Sequence, residues 1–261
     1  LFRELAYSIS VLECGGSLSD CHSKIGQSGG VSRCVACHLG SLSKYGRSDV
    51  YKIRPHTSSN VLSLAESNNG LISSAVSLHR DEIESMYFSN ETIATTMDRL
   101  RKNYLDAYYS TLDLIEKKDL TALVGFNGRI DMTRAAIEAA RCAKIRFITH
   151  ERPFMGHGIQ LHVNENVQGL KDRVAINAEY DEKCLTESQA RLAGAEIAKR
   201  FLGKNTLEFR RYNIGSAELP AWPTNTAKDK ILIIPSSRSE TGGHEEWRTQ
   251  WDLSTDGLQL F

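Results

Sequence analysis

The chain has no excess of charge of either sign: Lys plus Arg and Asp plus Glu number 32 each. A formal net charge of zero argues against a nucleic acid or an anionic membrane surface as the bulk partner, and leaves room only for a local basic site. Although 41% of residues are hydrophobic, no apolar run approaches the roughly 20 residues that a membrane span requires, so the composition reads as a soluble globular protein. Two phosphate-binding fingerprints are missing: neither GxxxxGK[ST] nor GxGxxG occurs, which excludes a P-loop and the common dinucleotide fold signature. No basic segment, apolar core and small-residue cleavage site occur in order, so no signal peptide is visible, and the start at Leu1 reads as that of a fragment. A length of 261 residues allows one large α/β domain or a domain and a half.

What the sequence does hold is cysteine in an unusual place. Four of the six cysteines, Cys14, Cys21, Cys34 and Cys37, fall in a Gly- and Ser-rich stretch with few bulky apolar side chains. Such a stretch does not order itself through a core, so a cross-link or a metal is the physical way to fix it. Cys34-Val35-Ala36-Cys37-His38 matches a c-type haem attachment site, but its polar, small surroundings offer no haem pocket. Two thiolate pairs, one of them a CxxC, suit tetrahedral Zn²⁺. An iron–sulfur cluster uses the same ligands, and two disulfides or four free thiols are the plainer alternatives. A structural metal on Cys14, Cys21, Cys34 and Cys37 is the favoured reading. Cys142 and Cys184 read as ordinary, at least partly buried thiols.

A strand is expected over Tyr7 to Cys14, and residues 60–86 show no clear boundary. From Asn90 the pattern sharpens, with Ile93, Met97, Leu100, Tyr104, Tyr108, Leu112 and Ile115 spaced by three and four, which predicts a long amphipathic helix to about Lys118. "LTALVGFNG" reads as a strand, "DMTRAAIEAARCAK" as a helix capped by Asp131, and "IRFITHERP" as a second strand broken by Pro153. Strand, helix, strand is the βαβ unit of a parallel sheet, whose ligands bind at the carboxyl ends of the strands. Thr186 and Gln189 form a capping box for a helix that stops at Gly203. "ELPAWPTNTAKDK" reads as a linker, and "KILIIPSSRSE" as a new strand.

The first strand end carries Asn127 and Arg129 around Gly128, with Arg134 a turn into the next helix. Guanidinium groups at a helix N-terminus suit an anionic or polyhydroxylated ligand, although Arg129 pairing with Glu151 to pin two loops is an equal alternative. The second strand end carries His150, Glu151 and Arg152, where a carboxylate or an imidazole can act as general base. His157 and His162 read as loop and packing residues. Ser236, Ser237, Arg238 and Glu240 follow the later strand directly, in a turn of the kind that holds phosphate.

Taken together, the cysteine pattern, "FNGR" followed by an Arg-containing Ala-rich helix, "HER", and "PSSRSE" before "EEWRTQW" resemble bacterial surface and capsular polysaccharide biosynthesis proteins, which are similar to GT-B glycosyltransferases. The resemblance spans Cys14 to about Trp251. It implies an α/β fold with a Rossmann-like parallel sheet flanked by helices: an acceptor-side domain over 1–222 bearing the cysteine loop 14–37, and the start of an incomplete nucleotide-sugar domain over 229–261. By that analogy Glu151, with His150, activates the acceptor hydroxyl. Asn127, Arg129, Arg134 and Arg152 line the cleft, and Ser236, Ser237 and Glu240 begin the donor side. The implied partners are a nucleotide sugar and a glycan acceptor without nucleic acid, in the cytoplasm at the inner face of the membrane, with homo-oligomerisation left open. The cysteine site would be structural zinc and His38 incidental. The rival class is a non-catalytic zinc-binding α/β interaction module.

Overall fold

The structure is a computed structural model that describes residues 7–25, 30–45, 49–56, 64–79, 90–153, 158–167, 169–181, 183–202, 204 and 242–243. The linker and the strand expected over 218–240 lie outside the described residues, as do His157 and Gly203. The elements run in the order β1 (Val11–Glu13), α1 (His22–Ile25), α2 (Gly30–Tyr45), β2 (Val50–Lys52), α3 (Leu64–Leu78), α4 (Asn90–Lys118), β3 (Ala122–Phe126), α5 (Asp131–Cys142), β4 (Arg146–Glu151), β5 (Gln160–Val163), α6 (Lys171–Tyr180) and α7 (Glu187–Phe201). Among the described residues the fold is mixed α/β with two small sheets. β1 and β2 pair in parallel, and β3, β4 and β5 form a sheet in that order, parallel between β3 and β4 and antiparallel between β4 and β5. Among the described residues no helix is long and apolar enough to cross a membrane.

The predicted long helix is α4, and its apolar stripe works as the spacing requires: Leu100, Tyr104, Tyr108 and Ile115 are buried, while Ile93, Met97 and Leu112 are half-buried. Against it lie Leu71 of α3 and Ala135 and Ala139 of α5, with Leu18 and Ile53 completing the core. α5 serves two layers. Ala135 and Ala139 face the helices, whereas Ile137 and Ala140 meet Phe147 of β4. An alanine-rich helix approaches both neighbours closely because nothing projects beyond Cβ.

Polar latches tie the first sheet to α4. Tyr51 donates to Asp113, with Lys117 Nζ 2.8 Å from the same carboxylate oxygen. The amides of Arg54 and His56 donate to Ser110 Oγ and Asp106 Oδ1, and the His56 ring stacks on Tyr109 at 3.9 Å. Asn103 Nδ2 donates to the Asp20 carbonyl at 2.6 Å, fixing the chain that enters α1.

Several boundaries differ from the sequence expectations. The first strand is confined to Val11–Glu13, and the CxxC part of the cysteine stretch lies in a helix, α2, rather than a turn. Its half-buried residues Cys34, His38, Ser41 and Leu42 recur at three and four, which is the spacing of one helical face. That face is fastened to β1: Ser41 Oγ donates to Glu13 Oε2 at 2.6 Å, and His38 Nδ1 lies 3.6 Å from Glu13 Oε1. A Gly/Ser-rich composition hid this short amphipathic pattern. The cap of α5 is Ile130 in an extended conformation with no side-chain cap bond, in place of Asp131. The capping box at the start of α7 is present, with Thr186 N donating to Gln189 Oε1 at 2.9 Å and Gln189 N to Thr186 Oγ1 at 3.3 Å.

Among the described residues Tyr104 Oη, buried in this core, has no hydrogen-bond partner, and burial, reinforced by the Glu138 carboxylate, pushes the phenol well above its ordinary range. An unpaired buried hydroxyl costs about 1–3 kcal/mol. Tyr104→Phe is therefore expected to raise stability by about 1 kcal/mol, read as a higher denaturation midpoint at unchanged m-value; a fall would show that the hydroxyl is paired in solution.

Candidate functional site

The parallel pair brings the two predicted strand ends together: Phe126 lies opposite His150 in the register, so Asn127 and Glu151 follow side by side. Asn127 adopts a left-handed conformation (φ 62°), as does Gly128 (φ 73°), which turns the chain out of β3 sharply into α5. Asn127 N donates to the His150 carbonyl at 2.9 Å, and its own carbonyl accepts from Val167 N at 3.1 Å. Its side chain is equally committed. Nδ2 donates to Glu151 Oε2 at 2.8 Å and Oδ1 accepts from Arg129 N at 3.2 Å.

Glu151 is thus held by both oxygens, because Arg152 N donates to Oε1 at 2.9 Å. Each oxygen keeps a lone pair, so the carboxylate is oriented but can still accept from a ligand hydroxyl. The predicted grouping of Asn127, Glu151 and Arg152 at one mouth is what the geometry brings together. Asn127 does so as the residue that orients Glu151, with its amide spent on the protein.

Two predicted members stand elsewhere. His150 and Glu151 are successive strand residues and point to opposite faces. His150 lies on the outer face, edge-on to Phe126 at 5.6 Å, so it does not share the Glu151 site. Arg134 is buried among α3, α4 and α5, with Nε 2.7 Å from Glu138 Oε1, a close ion pair within the core and not a ligand contact. Helical spacing one turn past the N-terminus carries Arg134 towards Gly70 and Tyr104 instead of the mouth. Ser236, Ser237 and Glu240 lie outside the described residues.

Other residues near the mouth escaped the sequence reading. The turn 164–167 crosses from the start of β4 to Asn127: Asn164 N donates to the Phe147 carbonyl, Thr149 Oγ1 to the Glu165 carbonyl at 2.6 Å, and Val167 N to Asn127 O. Glu165 and Asn166 are buried there. The only signal was the polar run "NEN" after a strand, which reads as an ordinary turn. His22, packed against α3, senses the mouth only through charge. Its Nε2 lies 3.2 Å from Ser77 Oγ, and burial, then the positive charge of Arg129, hold its pKa below the ordinary value of 6.5.

Because the folded His22 binds its proton less readily than the unfolded one, its contribution is complete above pH 6.5 and is lost as pH falls through the folded pKa. Thermal melts at pH 7.5 and 5.5 are expected to show a smaller difference in His22→Gln than in the parent. Equal differences would mean that His22 does not titrate differently on folding. Asp113, held below the ordinary carboxylate range by bonds from Lys117 and Tyr51, titrates at lower pH and does not confound that window.

The four cysteines of the expected metal site are spread over several elements. Cys34 and Cys37 lie within α2, Cys14 packs against the main core after β1, and Cys21 precedes α1, its carbonyl accepting from Lys24 N and Ile25 N. A zinc knuckle needs its CxxC in a tight turn, whereas a helix directs the two thiols along one side. Among the described residues no group of three or more His, Cys, Asp or Glu side chains is gathered as a metal ion requires. Cys142 and Cys184, expected to be at least partly buried, are exposed. No family model, curated protein or solved structure matches the chain.

Proposed function

We propose that this chain is the acceptor-side part of a GT-B-like glycosyltransferase, with a Rossmann-like domain, that moves a sugar from a nucleotide-activated donor to a surface or capsular polysaccharide at the cytoplasmic side of a membrane. The observation that carries the reading is the Glu151 carboxylate, fixed by Asn127 and the Arg152 amide at the carboxyl ends of a parallel strand pair. Ligands of open α/β sheets bind at that edge. In the proposed reaction the acceptor hydroxyl donates to Glu151 and attacks the anomeric carbon. The bond from that carbon to the donor phosphate breaks, the proton passes to Glu151, and the nucleotide leaves with the electron pair. Arg129 and Arg152 supply positive charge beside the mouth.

Saturation-transfer NMR with a panel of bacterial capsular oligosaccharides tests the binding half of this proposal. Signal transfer to a glycan that disappears in Glu151→Ala, with the fold intact by circular dichroism, is the expected result. No transfer to any glycan would remove its support.

The second reading, an interaction module without catalysis, draws on a different observation: Val31, Val35 and Leu39 form an exposed apolar ridge along α2, beside the cysteines. Structural zinc on Cys14, Cys21, Cys34 and Cys37 belongs to both proposals. Metal analysis of the protein purified without added metal is decisive. One zinc per chain, lost in Cys34→Ser/Cys37→Ser, would establish a thiolate metal site, and metal-free protein would leave the cysteines as thiols or disulfides. Zinc without any glycan binding would favour the interaction module.

A further inference from the structure

Among the described residues the three-stranded sheet is covered on one side only. Its inner face is filled by Ile137 and Ala140 of α5 and by the turn 164–167. On the outer face the register places Val124, Ile148 and Val163 in one row and Phe126, His150 and Leu161 in the next. Val124, Phe126, Leu161 and Val163 are each about half exposed, at 47%, 54%, 58% and 48%. Parallel strand pairs are normally buried on both faces, so among the described residues this half-exposed outer face lacks the cover such a pair usually has.

The two helices that follow β5 show the complementary deficit. No described helix or strand packs extensively against α6 or α7, and Ile197 is 55% exposed. Along α7, Ala190, Ala193 and Ile197 recur at three and four with Gly194 and Ala198 beside them, an arc of small side chains around one branched anchor. Such an arc lets a helix lie close to a sheet.

We propose that α7 is a strap that closes over the outer face of β3–β4–β5 in the same chain, seating Ile197 between the rows of Val163 and Leu161. The chain length allows it. The turn 164–167 delivers the chain to the carboxyl rim at Asn127, and Lys171 N is held there by Glu165 Oε1 at 3.1 Å. Residues 181–186 between the helices span up to about 20 Å extended. α7 is about 22 Å long, against an outer face about 10 Å across and about 17 Å along the strands. A short tether gives an effective concentration in the millimolar range, which favours the chain's own helix over a second copy. Closure buries Phe126 and His150 and leaves Glu151, on the other side of the strand, open at the rim. The strap is independent of the glycosyl-transfer reading.

Cross-linking in the full chain tests it. In Val163→Cys/Ile197→Cys, mild oxidation followed by peptide mapping is expected to give a 163–197 disulfide within one chain. In the Val163→Cys single variant, the new thiol is expected to react at least tenfold more slowly than the exposed native Cys142. Adding Ile197→Asp should restore fast labelling, whereas Ser188→Asp on the opposite side of α7 should not. A 163–197 link found only between chains would overturn the proposal in favour of a dimer. Absence of the link, or labelling of position 163 as fast as Cys142, would overturn it outright.

Discussion

Replacing Gly128 by alanine is expected to destabilise the protein by about 2–5 kcal/mol, the sum of a left-handed backbone imposed on an L residue and an overpacked core. Gly128 has φ 73°, and a Cβ there would overlap Ile137 Cδ1 and come within 2.7 Å of Thr149 Cγ2. Neither neighbour has room to retreat: Ile137 is fixed between α5 and the sheet, and Thr149 is fully buried with its hydroxyl bonded to the Glu165 carbonyl. Because a domain of this size has roughly 5–15 kcal/mol of stability in all, the variant should melt far below the parent or fail to fold. Gly40→Ala is the control. Gly40 lies in α2 with nothing near its virtual Cβ, so alanine there should add up to about 1 kcal/mol of helix stability. Equal melting temperatures for Gly128→Ala and the parent would mean that the β3–α5 turn is not built as described.

The second large effect concerns chemistry. Glu151→Gln keeps the shape and the bond from the Arg152 amide but removes the capacity to take a proton. The proposal predicts a loss of roughly 10²–10⁴-fold in transfer rate with acceptor binding retained. Asn127→Asp separates orientation from catalysis, because it sets a second carboxylate where Nδ2 now donates at 2.8 Å. Two like charges so close share a proton, so the rate should fall at neutral pH and its acid limb should move to higher pH. A variant that loses rate without any displacement of the pH profile would assign Asn127 a structural role alone.

α4 and the βαβ unit after it were legible because their signals are local: the three-and-four spacing of α4, the alanine-rich run of α5 and the Asn-Gly turn each follow from a few adjacent residues. Thr186 and Gln189 were legible for the same reason. The position of Arg134 was not, since spacing along a helix gives a face but not which neighbour that face meets, and Tyr104 and Gly70 are distant in sequence. His150 and Glu151 were read as partners because they are adjacent, although strand alternation separates them. Glu165 reaches the site only through tertiary packing, and nothing local distinguishes it. α2 was misread for an energetic reason: its composition argues against a core, yet a single half-buried face, bonded through Ser41 to Glu13, holds it in a helix.

The most direct test of the account is a transfer assay that pairs a panel of nucleotide sugars with oligosaccharide acceptors and compares the parent chain with Glu151→Gln. The account predicts acceptor-dependent release of nucleotide by the parent, reduced at least about 100-fold by the substitution. Release that Glu151→Gln leaves unchanged, or none with any donor and acceptor, would contradict the assignment of this strand-end carboxylate to glycosyl transfer.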